Sequence, residues 1–311
     1  MISVVIPLYN KVDTIVRALQ SVASQTFTDY ELIVVDDGST DGGTEVVLQW
    51  SKTHGQSLRL LRQENRGVAA ARNHGVREAR GTWVALLDAD DEWRPDFLSA
   101  VARLIQQYPT SVLCATSYLR KTTEEPAQRA TLRGLPFESD EGSLDDYFSV
   151  SLQSEPPVCS SAVALRREVL LSVGGFPEGI TKGEDLLTWA RMALQGPFAY
   201  SRYALATLHV EHPATSLRPK RAPSEPDTVG NELATMARNH PDRESLRLYV
   251  ALWHKMRANM FLRLPHSRRK CCHELQLVRL WNPSLTLPSY RILCLLPYRL
   301  RMSIMKWAQK L

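Results

Sequence analysis

Three carboxylates stand together at Asp88, Asp90 and Asp91, directly after the apolar run Trp83–Leu87. Carboxylates this close repel one another, and a divalent cation relieves the repulsion. Hard oxygen ligands with open positions suit Mg²⁺ or Mn²⁺, which keep sites for substrate phosphates. The structural alternative is a turn in which Asp91 caps the helix that Pro95 opens. A second acidic group, Asp36-Asp37, also leaves an apolar run and continues as Gly38-Ser39-Thr40-Asp41. A carboxylate there can accept from a nucleobase N–H or a ribose hydroxyl, while Ser39, Thr40 or Asp41 caps the next helix. Arg72, within Ala69–Asn73, can reach a phosphate or support the aspartates, with a surface ion pair as the plain alternative. His209 and His212 close a strand-like run, where HxxH spacing does not align two imidazoles.

The elements that must position these groups alternate strand and helix. Strand patterns cover Ile2–Ile6, Glu31–Val35, Leu58–Arg62, Trp83–Leu87 and Val112–Ser117. Helix patterns lie between them, with Val12, Ile15, Val16, Leu19 and Val22 on one face of the first, then Glu45–Ser51 and Val68–Ala79. Repeated βα units predict a mostly parallel sheet flanked by helices, with ligands beyond the carboxyl ends of the strands. The motif residues sit at those ends. Pro7-Leu8-Tyr9-Asn10 follows the first strand where a dinucleotide fold would carry GxGxxG, which counts against that fold. Residues Thr122–Ser154 are polar and irregular and read as a mobile loop. Pattern returns at Ser160–Val173, Glu184–Leu194 and Tyr203–Val210. Pro213–Asp227 reads as a linker, and a helical remainder carries Leu246, Tyr249, Trp253, Met256 and Met260 on one stripe.

A chain of 311 residues, 44% apolar, can bury two packed regions. The five cysteines show no ligand-like spacing and read as reduced thiols. No signal peptide and no membrane-spanning run is apparent, so a cytoplasmic location is expected. The net charge of +5 is concentrated toward the C-terminus. From Leu275 to Leu311 there are six arginines and lysines and no acidic residue, interleaved with Ile292, Leu295, Leu296, Leu300, Ile304 and Trp307. Such a segment suits the cytoplasmic face of an anionic membrane, and equally a homodimer or packing on the rest of the chain. Nucleic acid is not expected, because no recognition motif accompanies the basic bias.

In order and spacing, Val5-Ile6-Pro7-Leu8-Tyr9-Asn10, Glu31 through Asp41, Asn65-Arg66-Gly67 with Ala71-Arg72-Asn73, Leu87 through Asp91, and Val173-Gly174-Gly175-Phe176 with Gly183-Glu184-Asp185 resemble glycosyltransferase family 2. The likeness covers roughly the first two-thirds of the chain. It implies an α/β fold of the GT-A type, with residues 1–117 as a nucleotide-sugar-binding half and 118–215 as an acceptor-binding, catalytic-base half. Residues 216–311 then form a helical extension. It further implies inverting transfer from a nucleotide sugar, usually a UDP-sugar, to a saccharide or lipid-linked saccharide acceptor in cell-surface polysaccharide synthesis.

Site roles follow from the same likeness. Pro7, Tyr9 and Asp37 line the base pocket, and Asn10 and Arg72 belong to the donor site. Asp88 holds the ribose, Asp90 binds the Mn²⁺ or Mg²⁺, and His212 is a phosphate or metal contact. Asp185 is the general base, and the dipole of the helix it opens favours its ionised form. Ser160 and Ser161 are candidates to face the acceptor. Phe176 and Trp93 either stack on a sugar or fill the core. A nucleotidyltransferase shares the nucleotide pocket and acidic metal site, but it carries a glycine-rich basic loop after the first strand. A non-catalytic nucleotide-sugar-binding module is the remaining alternative, against which Asp37, Asp88, Asp90 and Asp185 all stand intact.

Overall fold

The computed structural model describes residues 1–55, 57–122, 124–180, 182–210, 222–285 and 287–308. Two compact units divide the chain, Met1–Ser216 and Leu217–Leu311.

The first unit is built on a sheet that starts with four short strands. These are β1 (Ile2–Leu8), β2 (Tyr30–Asp36), β3 (Arg59–Arg62) and β4 (Trp83–Leu86), paired in parallel in the order β3-β2-β1-β4. Parallel neighbours need crossovers, which α1 (Ile15–Ala23), α2 (Gly43–His54) and α3 (Val68–Glu78) supply. On α1 the buried Ile15, Ala18, Leu19 and Val22 recur every three or four residues, so one helical stripe meets the sheet. α3 comes closer still. A Cβ on Gly75 would lie 2.4 Å from Val5 Cγ1, so only glycine allows this helix to settle on β1. Every residue of β1 is buried, as a strand covered on both faces requires. Pro7, which has no N–H to donate, lies past the last β4 pairing, Val5 with Leu86.

Beyond β4 the sheet is mixed. β9 (Val163–Arg166) runs antiparallel to both β4 and β6 (Leu113–Lys121), and β10 (Phe198–His209) is parallel to β6. β5 (Glu92–Trp93) and β8 (Glu141–Leu144) pair antiparallel with β10, and β7 (Gln128–Arg129) with β6. The parallel arrangement expected from the alternating pattern therefore holds for the first four strands and for the β6–β10 pair. β9 instead enters antiparallel between β4 and β6.

Two local expectations are corrected. Residues 122–154 are not simply a loop. They contain β7, β8 and α5 (Tyr147–Gln153), whose Tyr147, Phe148 and Val150 are buried. Asp146 caps α5, accepting from the N–H groups of Phe148 and Ser149. The helix after the carboxylate cluster, α4 (Phe97–Gln107), has Asp96 at its N-cap, so Pro95 lies before the helix and Asp91 does not cap it. α6 (Arg167–Ser172) and α7 (Glu184–Ala193) complete the unit.

The second unit holds α8 (Thr228–Asn239), α9 (Glu244–Leu262), α10 (Arg268–Trp281), α11 (Pro288–Leu295) and α12 (Tyr298–Ala308). Its apolar centre is Ala258, Phe261, Leu262, Cys271, Leu275 and Cys294. The expected stripe along α9 is shifted: Leu246, Tyr249 and Trp253 are buried, but Met256 is 41% exposed and Arg257 takes the inward position. Arg257 Nε donates to Glu274 at 2.8 Å and pairs with Asp227 at 3.1 Å, and His254 Nδ1 lies 2.7 Å from Glu274. Burial pushes the Glu274 carboxyl up, but hydrogen bonds from His254 and Arg257 bring it below its ordinary value. Asp227, His254 and Glu274 are close enough to share a metal ion. The Arg257 guanidinium already bridges the two carboxylates, so the group is an ion-paired strut between α8, α9 and α10. Among the described residues, no helix is long and apolar enough to cross a membrane.

Candidate active site

The loops leaving β1 and β2 are tied together by side chains. Asn10, at φ 50°, accepts at Oδ1 from the Thr40 N–H (2.9 Å), and its own N–H donates to Ser39 Oγ (3.2 Å). The left-handed backbone suits asparagine better than most residues. Asp41 accepts from Val12 N at 2.8 Å and from Gly43 N at 2.9 Å, so it caps α2 from one residue before Gly42 and anchors the β1 loop as well. Asp36 is drawn inward, accepting from Thr44 Oγ1 at 2.5 Å and Ser39 N at 2.9 Å. Burial raises its carboxyl, but these bonds outweigh that and hold it below the ordinary range.

Asp37 is the hub of the donor side. Its Oδ1 accepts from Gln63 Nε2 (2.7 Å) and Arg66 N (2.9 Å), and its Oδ2 from Gly67 N (2.8 Å). The carboxylate thereby fixes the turn that starts α3, where Gly67 adopts φ 90°. Tyr9 is 48% exposed beside these loops, while Pro7 is buried in β1.

At the end of β4 the three aspartates have separate duties. Asp88 accepts from Arg72 at 2.7 Å. Asp90 Oδ2 lies 2.5 Å from the Lys11 ammonium, and its carbonyl accepts from Arg17. Asp91 is buried, accepting from Ser161 Oγ (2.5 Å) and from the His209 N–H (2.9 Å). Ser161 Oγ in turn accepts from Asp88 N at 3.1 Å. Burial, together with the neighbouring Asp88 and Asp90, pushes the Asp91 carboxyl up to about 7. Only Asp88 and Asp90 of the three thus retain exposure on the open side.

Arg72 links this cluster to α7. It is 3% exposed, and its second guanidinium nitrogen is 3.9 Å from Glu184. That nitrogen and Nε have no hydrogen-bond partner among the described residues. Burial raises the Glu184 carboxyl, with Asp185 adding to it. Burial also raises Asp185, against the opposing pull of Arg72 and the Leu186 N–H, which donates to it at 2.7 Å. The net direction for Asp185 is upward, opposite to what the helix dipole alone would give.

Several linking residues carried no sequence signal of their role. Asn73 accepts at Oδ1 from Phe176 N (2.7 Å) and donates from Nδ2 to Phe176 O (2.8 Å). A Cβ on Gly175 would sit 2.5 Å from that Asn73 oxygen, at a φ of 70°, so the glycine is required there. Lys11 and Ser161 are the others. Ser160 and Ser161 are buried rather than facing outward. Trp93 stacks on Phe97 (4.1 Å) and donates to Ser161 O (2.6 Å), and Phe176 packs edge-on to Trp189, so both aromatics belong to the core. His209 pairs with Glu92 at 2.9 Å. His212 lies outside the described residues.

Comparison with known proteins agrees with this architecture. The chain resembles an uncharacterised glycosyltransferase of Nostoc sp., 34% identical over 182 residues, 57% of this chain and 53% of that one. A putative teichuronic acid biosynthesis glycosyltransferase of Bacillus subtilis is 40% identical over 98 residues, 32% of this chain and 39% of that one. The chain spans about half or less of the length of these relatives. In fold it resembles S. aureus TarS 1–349 in complex with UDP, with TM-score 0.56 and 20% identity over 90% of this chain and 70% of that one. It also resembles a mannosyltransferase of Pyrobaculum calidifontis in complex with GDP-Man and Mn²⁺, with TM-score 0.55 and 20% identity over 94% and 78%. The first unit accordingly has the GT-A fold. Residues 3–174 match the family described as Glycosyl transferase family 2, and with more than half its length inside that match the chain belongs to this family.

Proposed function

We propose that the protein is an inverting glycosyltransferase. It takes a sugar from a nucleoside diphosphate sugar, with uridine as the base, and passes it to a saccharide or lipid-linked saccharide in cell-surface polysaccharide synthesis. The observation that carries this reading is the buried Arg72, which joins Asp88 at the carboxyl end of β4 to Glu184 and Asp185 at the start of α7. A donor-side carboxylate and a candidate base are thereby held in one charged network.

In this reading, Asp37 and Tyr9 serve the base with Pro7 and Asn10 shaping the loop, and Asp88 serves the ribose. Asp185 takes the proton of the acceptor hydroxyl as that oxygen attacks the anomeric carbon opposite the departing diphosphate. Its raised pKa favours that proton transfer. Asp90, one of the two partly exposed carboxylates after β4, suits a hard divalent ion, Mn²⁺ or Mg²⁺, once the Lys11 ammonium that pairs with it gives way. When bound there, such an ion supplies charge neutralisation for the leaving diphosphate. His212 completes the reading as a phosphate or metal contact. Residues 1–117 and 118–215 form the donor and acceptor halves, with 216–311 as an extension.

The test is a panel of nucleotide sugars, scored by thermal stabilisation and by nucleoside diphosphate release with and without Mn²⁺. Stabilisation and release by a uridine donor are expected. A panel in which no uridine nucleotide shifts the melting point would overturn the reading.

A further inference from the structure

The second unit exposes an aliphatic stripe alongside one sign of charge. α11 and α12 turn Cys294, Leu293 and Met305 toward the unit's apolar centre, and Arg301 is buried with a hydrogen bond to Leu264 O at 2.8 Å. Their other sides carry Ile292 (60% exposed) and Leu295 (61%) one turn apart, then Leu300 (49%) and Ile304 (38%) one turn apart. Single exposed aliphatics are ordinary on protein surfaces. Two such pairs on consecutive helices, spaced i,i+3 and i,i+4, give each helix an exposed aliphatic side.

The exposed charges on α10, α11 and α12 are positive, although Lys270 is paired with Glu225. Arg291 and Arg299 are exposed on the same two helices, as are Arg268, Arg269, Lys270 and Arg279 on α10. No acidic residue follows Glu274. Arg268 acts electrostatically on the thiols of both Cys272 and Cys294, so the basic start of α10 adjoins α11. There Arg268, Arg269, Cys272, His273 and Gln276 line an open cleft of about 400 Å³.

We propose that the surface formed by α10, α11 and α12 docks on an anionic phospholipid bilayer. Ile292, Leu295, Leu300 and Ile304 enter the acyl boundary, and the arginines meet lipid phosphates. Charge selects this occupant over a second copy of the chain, since an isologous contact through this face would set the same arginines against each other. With 8 and 11 residues, α11 and α12 are too short to cross the roughly 30 Å hydrocarbon core, so they lie along the interface. Each arginine near an anionic surface strengthens partitioning about fivefold at moderate ionic strength.

The experiment is co-sedimentation of the full chain with vesicles of phosphatidylcholine, alone or with phosphatidylglycerol, in the absence of donor and acceptor. Failure of the glycosyl-transfer reading therefore leaves it untouched. Binding only to the anionic vesicles, lost at high salt, is expected. Ile292→Asp with Leu295→Asp should weaken it by more than tenfold, and Arg291→Glu with Arg299→Glu should remove the preference for anionic lipid. All four residues are exposed, so unchanged melting points verify that the variants fold. No binding by the wild type, equal binding to neutral vesicles, or wild-type binding by both variants would overturn the proposal. So would a dimer in solution that the Ile292→Asp, Leu295→Asp chain loses while vesicle binding is absent.

Discussion

The Lys11 ammonium lies 2.5 Å from a carboxylate oxygen of Asp90, though 79 residues separate the two in sequence. A lysine held there occupies one face of the carboxylate that a divalent ion would use, and its charge repels that ion. Lys11→Met should therefore tighten Mn²⁺ binding to the nucleotide-free protein by about tenfold, since even a partly screened like charge at such distances costs more than 1 kcal/mol. Titration of free Mn²⁺ by electron paramagnetic resonance reads this directly. An unchanged affinity would separate Lys11 from the cation site.

Asp185→Asn keeps the shape of the side chain and removes the base proposed above. Transfer should fall by about 10²–10⁴-fold, with nucleotide-sugar binding retained. In the parent enzyme, burial raises the Asp185 carboxyl above its ordinary value despite the opposing Arg72. Because the base must be ionised, activity should be lost on acidification through a midpoint above the usual carboxylate range. A rate that is flat from acid to neutral pH would remove Asp185 from proton transfer.

Arg72 is enclosed between Asp88 and the Glu184-Asp185 pair, with little water to replace it. Arg72→Met would leave these carboxylates facing one another around an apolar chain. Loss of one partner from a buried ionic group costs about 3–5 kcal/mol, which chemical denaturation should show. The same variant should move the acid limb of any residual activity to higher pH, since Arg72 lowers the Asp185 carboxyl. A variant as stable as the parent would mean that water enters the network.

Asp91 links stability to pH. Burial, then Asp88, raise its folded-state pKa from 3.8 to about 7. The protonated form is thus favoured by folding, and the associated stability is complete below about 4 and lost as pH rises through about 7. For the metal-free protein this is on the order of 4 kcal/mol. Asp91→Asn mimics the protonated group, since its amide can donate to Ser161 Oγ and its oxygen still accepts from His209 N. The variant should flatten the decline between pH 4 and 7 in thermal melts. A slope equal to the parent's would place the titration elsewhere.

β1, β2 and β4 were legible because each is a short apolar run closed by a polar motif, the pattern that parallel strands buried on both faces demand; β3, a partly exposed edge strand, follows from its place in the βα alternation. Asp37 was legible as a strand-end carboxylate, though not as the anchor of the Gln63–Gly67 turn, because its donors are mostly backbone groups without sequence identity. α5 was hidden: Tyr147 and Phe148 are buried, but their acidic and polar flanks dilute the periodicity. β10 was read only from Tyr203 onward, since Phe198–Ser201 precedes register shifts that break its alternation. Asp91 was misread as a cap because its partners, Ser161 and His209, lie 70 and 118 residues away.

The antiparallel entry of β9 between β4 and β6 has a consequence for how such proteins can diversify. A chain cut after residue 117 would leave β4 with a bare hydrogen-bonding edge, an invitation to edge-to-edge aggregation. Residues 1–117 are therefore not a free-standing unit. The chain between β6 and β9 can change in length only so long as the strand that returns from it still seals the sheet.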